Sequence, residues 1–172
     1  MTLVGEGCLL MACSHVGHDC VVGDGVILAN NVMLGGHVRL GDNCFLGGGA
    51  AIHQTVRIGR QAMIGGMAGV TNDVPPFGNA FGLPARLVGL NVIGLRRRGF
   101  SRDNLHALRA AFRLIFRDPG TFQERLSAAE AQFAGDALVG EVIAFLRSPE
   151  RKRELIRPGR MTAEFGTDDE EA

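Results

Sequence analysis

An aliphatic residue returns at every sixth position from Val4 to Val70, without a slip. The twelve positions hold only Val, Leu or Ile: Val4, Leu10, Val16, Val22, Leu28, Leu34, Leu40, Leu46, Ile52, Ile58, Ile64 and Val70. Four places after each lies a small or β-branched residue, at Cys8, Ser14, Cys20, Val26, Val32, Val38, Cys44, Ala50, Val56, Ala62, Ala68 and Val74. A six-residue period fits one short strand and one turn per block, and such blocks stabilise one another only by stacking.

Glycine follows the aliphatic residue in eight of the twelve blocks, at Gly5, Gly17, Gly23, Gly35, Gly41, Gly47, Gly59 and Gly65. The whole chain has 25 glycines in 172 residues, roughly twice the usual ~7% share. We expect glycine here either because the chain bends with positive φ or because neighbouring backbones approach closely. The pattern predicts a parallel β-helix, and it excludes collagen because glycine does not recur at every third residue.

Charge and composition exclude several classes of protein. Basic and acidic residues balance at 18 each, so no basic excess argues for a nucleic-acid partner. No apolar run approaches the ~18 residues of a membrane helix, and the N-terminus lacks the basic start of a signal peptide. The four cysteines (Cys8, Cys13, Cys20 and Cys44) have no CxxC spacing and suggest neither a zinc site nor a redox motif. We therefore expect a cytoplasmic protein with no nucleic acid and no integral membrane segment.

The composition changes after the repeat, which indicates a second region. We predict four parts: a β-helix over 1–75, a loop connector over 76–100, a helical domain over 101–157 and a disordered tail over 158–172. Ser101 is a candidate N-cap before apolar residues at helical spacing. Thr121 and Glu124 form a capping-box pattern before a second helix, and residues 138–146 predict a third. The predicted class is mainly β followed by α.

The repeat resembles that of the left-handed parallel β-helix acyltransferases, whose triangular coil takes three hexapeptides. The resemblance implies about four coils, followed by a C-terminal α-helical bundle. Positions that lie three hexapeptides apart then share a column along such a prism. This places four of the five histidines in one short arc at one corner, namely His15, His18, His37 and His53.

Other positions join this arc by the same arithmetic. Gly36 and Gln54 fall in the column of His18, one and two coils further along. Asp19 shares a column with His37, one coil apart. Residues scattered in sequence from His15 to Gln54 are thereby gathered into one patch.

Three interpretations of the patch compete. Polar corners of a solenoid tolerate histidine without function. Carbonic anhydrases of the same fold bind zinc through histidines, so a metal site is a second interpretation. General-base chemistry is the third and the one we favour, because a neutral imidazole accepts a hydroxyl proton at neutral pH and Asp19 can orient the ring of His18. The backbone N–H of Gly36 can then face a developing oxyanion.

Five segments resemble one narrower family. They are HVGHDC (15–20), ILANNVMLGGHV (27–38), AIHQ (51–54), GNAFG (78–82) and GLRRRGFS (94–101). Together they are similar to the UDP-N-acetylglucosamine O-acyltransferases of lipid A biosynthesis, from about Val4 to Phe116. The hexapeptide alone specifies only the fold, whereas these motifs at these separations are much more specific.

The resemblance implies a role for each matching residue. His18 matches the general base, Asp19 its dyad partner and Gly36 the oxyanion-hole glycine. The positions that match substrate-binding residues are His15, His37, His53, Gln54, Gly66, Asn91, Arg97 and Arg98. Among these, Asn91, Arg97 and Arg98 match residues that hold the nucleotide, and Gly66 matches the end of the acyl groove.

The implied reaction moves an (R)-3-hydroxyacyl chain from acyl carrier protein to the 3-hydroxyl of UDP-N-acetylglucosamine in a homotrimer. It needs no cofactor beyond the acyl carrier thioester as co-substrate, and no metal. The family has further N-terminal coils that would precede Met1, so a shortened chain is expected. Ile93 and Pro84 stand where the family commonly has glutamate and histidine. The alternative functions are a non-catalytic trimeric scaffold and, less favoured, a zinc hydratase of the carbonic anhydrase kind.

Overall fold

The first part of the fold is a stack of very short strands. The structure, a computed structural model, describes residues 1–150 and 152–159. Twelve strands recur with the period of the sequence: β1 Leu3–Val4, β2 Leu9–Leu10, β3 His15–Val16, β4 Val21–Val22, β5 Ile27–Leu28, β6 Met33–Leu34, β7 Arg39–Leu40, β8 Phe45–Leu46, β9 Ala51–Ile52, β10 Arg57–Ile58, β11 Met63–Ile64 and β12 Gly69–Val70. Every third strand pairs in parallel, as Leu3 does with Val21. Each coil therefore takes three hexapeptides.

The strands form the three sides of a prism. One sheet has the order β1-β4-β7-β10, a second has β12-β9-β6-β3, and a third contains β11-β8-β5-β2. Each side thus holds one strand from each of four coils. The predicted parallel β-helix of about four coils is confirmed.

The repeated aliphatic residues form the core of the prism. From Val22 to Val70 their exposed fraction is at most 3%, and each such side chain contributes roughly 1.5–3 kcal/mol by leaving water. In the first coil, Val4 and Leu10 are 47% and 45% exposed, because no coil among the described residues covers them on the outer side.

The repeated glycines allow the coils to approach closely. A Cβ atom on Gly17 would lie 2.7 Å from the carbonyl oxygen of Leu34 in the next coil, and one on Gly35 would lie 2.7 Å from the amide nitrogen of Gln54. None of the eight glycines has a positive φ; that conformation occurs two places later, at residues such as Asp19 and His37. Of the two reasons expected for glycine, the close approach of neighbouring backbones is confirmed. The expectation of a positive φ is wrong for these eight glycines.

Residues 76–100, which we expected to form a loop connector, are largely regular structure. Strands β13 (Gly78–Gly82) and β14 (Ala85–Leu90) form an antiparallel hairpin, and helix α1 spans Val92–Arg97. β13 pairs in parallel with β11, so the hairpin extends one side of the prism. The expectation of a loop is wrong because Ala80 and Leu87 are 0% and 2% exposed and continue the apolar core.

Three longer helices follow: α2 Arg102–Phe116, α3 Phe122–Gln132 and α4 Ala137–Arg147. Ser101 caps α2, and Thr121 forms the expected capping box with Glu124, so both predicted helix starts are confirmed. The last helix docks on the prism through an ion pair, with 2.6 Å between Arg60 Nε and Glu141 Oε2. The β-helix followed by an α-helical bundle is thus the observed class.

The described C-terminal segment runs back along the prism. Asp73 N donates to the carbonyl oxygen of Glu154, and Ile156 N donates to that of Asp73, both at 2.9 Å. Of the tail predicted to be disordered over 158–172, residues 160–172 lie outside the described residues, and Gly159 N donates to the carbonyl oxygen of Leu87. No helix among the described residues is long and apolar enough to cross a membrane.

Candidate active site

One edge of the prism, where the chain passes from the β3 side to the β4 side, carries the predicted patch. We call it the histidine corner, and its residues are His15, His18, Asp19, Gly36, His37, His53 and Gln54.

His18 and Asp19 form the turn of this corner directly after β3. Asp19 has a φ of 57°, a left-handed conformation that aspartate tolerates better than most residues. Its Oδ2 atom lies 3.0 Å from His18 Nδ1, and the side chains of His18 and Asp19 are 73% and 42% exposed. The turn therefore presents a histidine–carboxylate pair to solvent.

The carboxylate of Asp19 determines which ring nitrogen of His18 carries the proton. The N-terminal ammonium of Met1 and then the hydrogen bond with His18 lower the pKa of Asp19 to about 2. Asp19 is consequently ionised throughout the neutral range and can only accept a hydrogen bond. Neutral His18 therefore carries its proton on Nδ1 and has a free lone pair on Nε2, the arrangement required of a general base.

Gly36 lies next to the His18 ring in the following coil. A Cβ atom on Gly36 would be 2.5 Å from His18 Nε2 and 2.7 Å from His18 Cε1. The absence of a side chain thus leaves open the space around the nitrogen that would act as base. The structure brings together the two residues that the column arithmetic predicted to be neighbours.

We expect Gly36→Ala to lower kcat by about 100-fold for any reaction that uses His18 as its general base, because the methyl group would displace the imidazole by about 1 Å, a misplacement that costs about this factor. Activity assays measure the loss of kcat, and thermal unfolding shows separately whether the substitution destabilises the fold. Gly140→Ala is the control, since a Cβ there meets nothing within 4 Å, and it should retain full activity. A Gly36→Ala protein with wild-type kcat would contradict the proposed geometry.

His37 completes a compact cluster with His18 and Asp19. The two imidazole rings are edge-to-face with centroids 4.9 Å apart. One ligand atom from each of the three residues lies within 4.8 Å of the others. These residues have the donor types that hold a transition metal, so the arrangement is compatible with a metal as well as with acid–base chemistry.

His15, His53 and Gln54 border the same corner. His15 lies on β3 and is exposed, and His53 and Gln54 follow β9 two coils further along, also exposed. Gln54 N is the atom closest to the vacant Cβ position of Gly35, which shows how tightly this coil abuts the next. All seven residues predicted to share the patch lie at this corner.

One residue at the histidine corner was not predicted. Arg153, from the C-terminal segment, places Nη2 2.5 Å from His53 Nδ1 and Nε 3.1 Å from Thr55 Oγ1. The two partners in the first contact are 100 residues apart. No repeat phase applies outside the prism, so the sequence offered no signal that could have found Arg153.

Asn91, Arg97 and Arg98 lie at a second corner, between the β7 and β8 sides. Asn91 is 8% exposed, caps α1 by accepting from Gly94 N, and donates to the carbonyl oxygen of Gln61 at 2.9 Å. Arg98 donates to the carbonyl oxygen of Asn43 at 3.3 Å, and Arg97 is exposed. Within one chain these residues do not join the histidine corner.

Gly66 lies at the third corner, between β11 and β12. A Cβ on Gly66 would have the carbonyl oxygen of Gly48 as its nearest neighbour, at 3.3 Å. Gly66 is exposed, and Gly48 occupies the equivalent position one coil earlier. The predicted site residues are thus distributed over all three edges of the prism.

Cys20 belongs to the core although it is adjacent to Asp19. Its side chain is fully buried, and Sγ donates to the carbonyl oxygen of Gly35 at 3.1 Å. Burial raises the pKa of Cys20 and raises that of Cys44 to about 12. A buried thiol with a raised pKa is a poor nucleophile, so Cys20 and Cys44 act as core residues of the prism.

The parallel β-helix of hexapeptides and the histidine–carboxylate pair at its corner point to the class of hexapeptide-repeat transferases. Residues 1–36 match the family described as bacterial transferase hexapeptide (six repeats). Residues 73–156 match the family described as UDP-N-acetylglucosamine O-acyltransferase, domain 2. Over this second range the chain matches the UDP-N-acetylglucosamine O-acyltransferase family, and its β-helix is the left-handed parallel β-helix of that family.

Individual relatives agree with this assignment. The acyl-[acyl-carrier-protein]–UDP-N-acetylglucosamine O-acyltransferase of Caulobacter vibrioides is 54% identical over 93% of this chain and 60% of its own length. The protein of the same name from Methylobacterium radiotolerans is 64% identical over 85% of this chain and 54% of its own.

Solved structures show the same relationship. A UDP-N-acetylglucosamine O-acyltransferase from Moraxella catarrhalis RH4 superposes with a TM-score of 0.86 at 38% identity, covering 91% of this chain and 60% of that one. The Arabidopsis UDP-N-acetylglucosamine acyltransferase superposes with a TM-score of 0.83 at 37% identity, covering 90% and 56%. This chain spans about 60% of the length of such relatives.

Proposed function

We propose that this chain transfers an (R)-3-hydroxyacyl group from acyl carrier protein to the 3-hydroxyl of UDP-N-acetylglucosamine, the first step of lipid A biosynthesis. The observation that carries the proposal is the His18–Asp19 pair, with 3.0 Å between Nδ1 and Oδ2, beside the open space at Gly36. The family match supports the choice of substrates, because the relatives that cover this corner are named for them.

His18 is the general base of the proposed reaction. Its Nε2 accepts the proton of the sugar 3-hydroxyl while that oxygen attacks the thioester carbonyl. A C–O bond forms and the C–S bond breaks, and the proton then passes from His18 to the departing thiolate of the carrier. Asp19 holds the ring in place and stabilises the imidazolium while it exists.

The oxyanion of the tetrahedral intermediate needs a donor close to His18. We assign this role to the backbone N–H of Gly36, since the bare Cα lets a carbonyl oxygen approach without steric hindrance. The other members of the histidine corner surround the base and bind the sugar and acyl groups: His15, His37, His53 and Gln54. The transfer is direct and needs no cofactor beyond the acyl carrier thioester, so the buried Cys20 takes no part.

A homotrimer would bring the remaining corners to the base. Arg97 and Arg98 lie on a different edge from His18 in the same chain, so a cleft between two prisms is the simplest way to bring them together. The fork of an arginine pairs well with phosphate oxygens, which suits the diphosphate of the nucleotide. Asn91, the N-cap of α1, would position the helix that ends at Arg97. Gly66 would leave room at the end of the acyl chain. We place the reaction in the cytoplasm, where acyl carrier protein and nucleotide sugar meet.

The proposal is tested by incubating the protein with 3-hydroxyacyl carrier protein and UDP-N-acetylglucosamine and detecting the acylated sugar nucleotide by mass spectrometry. We expect product, and we expect it to persist after dialysis against a metal chelator because no step uses a metal. A protein that trimerises but neither binds the nucleotide sugar nor forms product would favour the non-catalytic scaffold. Loss of turnover on chelation, with stoichiometric zinc in the untreated protein, would favour a metal role for His18, Asp19 and His37.

A further inference from the structure

The C-terminal segment 152–159 is held firmly enough to place a side chain at the histidine corner. Leu155 pairs with Asp73 in a parallel bridge, and Pro158 pairs with Leu87 in another. Ile156 is 2% exposed and belongs to the core. Arg153 is therefore attached to an anchored strand-like segment rather than to a free end.

Arg153 makes three contacts at the end of the third coil. Its Nε donates to the carbonyl oxygen of Gln54 at 3.2 Å and to Thr55 Oγ1 at 3.1 Å. Its Nη2 lies 2.5 Å from Nδ1 of His53. The planar guanidinium thus spans His53, Gln54 and Thr55 at once, a geometry that a lysine ammonium does not reproduce.

These contacts determine the tautomer of His53. A guanidinium has only donors and keeps its charge at all accessible pH values, so the nitrogen that faces it must be the acceptor. His53 Nδ1 also lies 3.2 Å from the carbonyl oxygen of Gln54, which by itself would favour a proton on Nδ1. Two observations indicate that Nδ1 is unprotonated. Its contact with Arg153 Nη2 is the shorter of the two, and the carbonyl oxygen of Gln54 already accepts a hydrogen bond from Arg153 Nε. The neutral ring then carries its proton on Nε2.

We propose that Arg153 is a positioning residue of the candidate site: it holds His53 in the Nε2–H tautomer and so fixes a hydrogen-bond donor toward a substrate oxygen. The role rests on the proposed function, since His53 contacts substrate only if the corner is an active site. The tautomer itself follows from the contacts alone. His18 and His53 then have opposite roles, because Asp19 leaves Nε2 of His18 as an acceptor whereas Arg153 makes Nε2 of His53 a donor.

The tautomer is measured directly by long-range ¹H–¹⁵N NMR of the histidine rings at a pH where they are neutral. His53→Gln identifies the signals of His53 by their loss. We expect the Nε2–H pattern in the wild type and a shift toward the Nδ1–H pattern in Arg153→Met, where the carbonyl oxygen of Gln54 is left facing Nδ1. Arg157→Met, in an exposed arginine of the same segment, should leave the wild-type pattern unchanged. An Nδ1–H pattern for wild-type His53 overturns the proposal without any variant having to fold.

Kinetics separate positioning from simple structural support. Losing one well-oriented hydrogen bond costs roughly 3- to 10-fold, so Arg153→Met should lower kcat/KM for acyl transfer by that factor while its unfolding midpoint stays near that of Arg157→Met. Arg153→Lys should recover only part of the activity, since it restores charge without the fork. Equal activity in Arg153→Met and wild type overturns the role of Arg153 while leaving the acyltransferase in place. If the wild type forms no product, the proposed function fails, and the NMR result still decides the tautomer.

Discussion

Replacing His18 with alanine should lower kcat for acyl transfer by about 10²–10⁴-fold, the usual contribution of a positioned general base. The expectation follows from the hydrogen bond of 3.0 Å to Asp19, which leaves Nε2 of His18 as the lone-pair nitrogen. KM for the nucleotide sugar should change far less than kcat, because the proton is transferred only in the transition state. Initial rates measured by mass spectrometry over a range of sugar concentrations give both constants.

The chain offers a matched control for this substitution. His106 is the one histidine of the sequence outside the repeat, and it is exposed on α2. His106→Ala removes the same side chain from another exposed position, so its kcat should equal that of the wild type. If His18→Ala were as active as His106→Ala, the assignment of the base would be wrong.

Replacing Asp73 with alanine should lower the free energy of unfolding by about 3–5 kcal/mol, the cost of leaving one partner of a buried ion pair uncompensated. Asp73 is completely buried. Its Oδ2 accepts from Arg57 Nε and its Oδ1 from Arg57 N, both at 2.9 Å. The backbone of Asp73 also pairs with the C-terminal segment. We therefore expect the substitution to weaken the contact between the prism and this segment as well.

Urea denaturation of three variants tests this explanation. Glu150→Ala removes one partner of an exposed ion pair, Arg39–Glu150, whose side chains are 60% and 65% exposed, and it should cost no more than about 1 kcal/mol. The double variant Arg57→Met/Asp73→Ala should be more stable than Asp73→Ala alone, because no unpaired charge remains in the core. If Asp73→Ala and Glu150→Ala lowered the free energy of unfolding equally, burial of the Arg57–Asp73 pair would not be the cause of the destabilisation.

The repeat predicted most of the prism because its signal is local and periodic. Twelve aliphatic positions determine which side chains point inward, and the resemblance then supplied a coil length that placed His18 beside Gly36 from the sequence alone. The same arithmetic applies to every residue within the repeat, which is why all the residues of the histidine corner were assigned to one edge correctly.

Outside the repeat, no such arithmetic exists. The hairpin over 78–90 was missed because the prolines and glycines of residues 75–90 are typical of a loop. Strand β13 nevertheless pairs with β11, a contact between segments that the period does not relate. Arg153 was missed for the same reason, since its position depends on the path of the chain after four helices. The sequence left two reasons open for the repeated glycines, because glycine is equally suited to a close contact between backbones and to a left-handed turn.

The parallel pairing of every third strand makes the histidine corner sensitive to insertions in an unusual way. One extra hexapeptide between His18 and Gly36 would keep every aliphatic side chain inside the prism, yet it would carry Gly36 one third of the way around to another edge. Three extra hexapeptides would return Gly36 to the correct edge but place an additional coil, about 4.8 Å thick, between it and the imidazole. A chain of this kind can therefore grow by whole coils above or below the corner without harm, whereas the stretch that joins His18 to Gly36 tolerates no change in length.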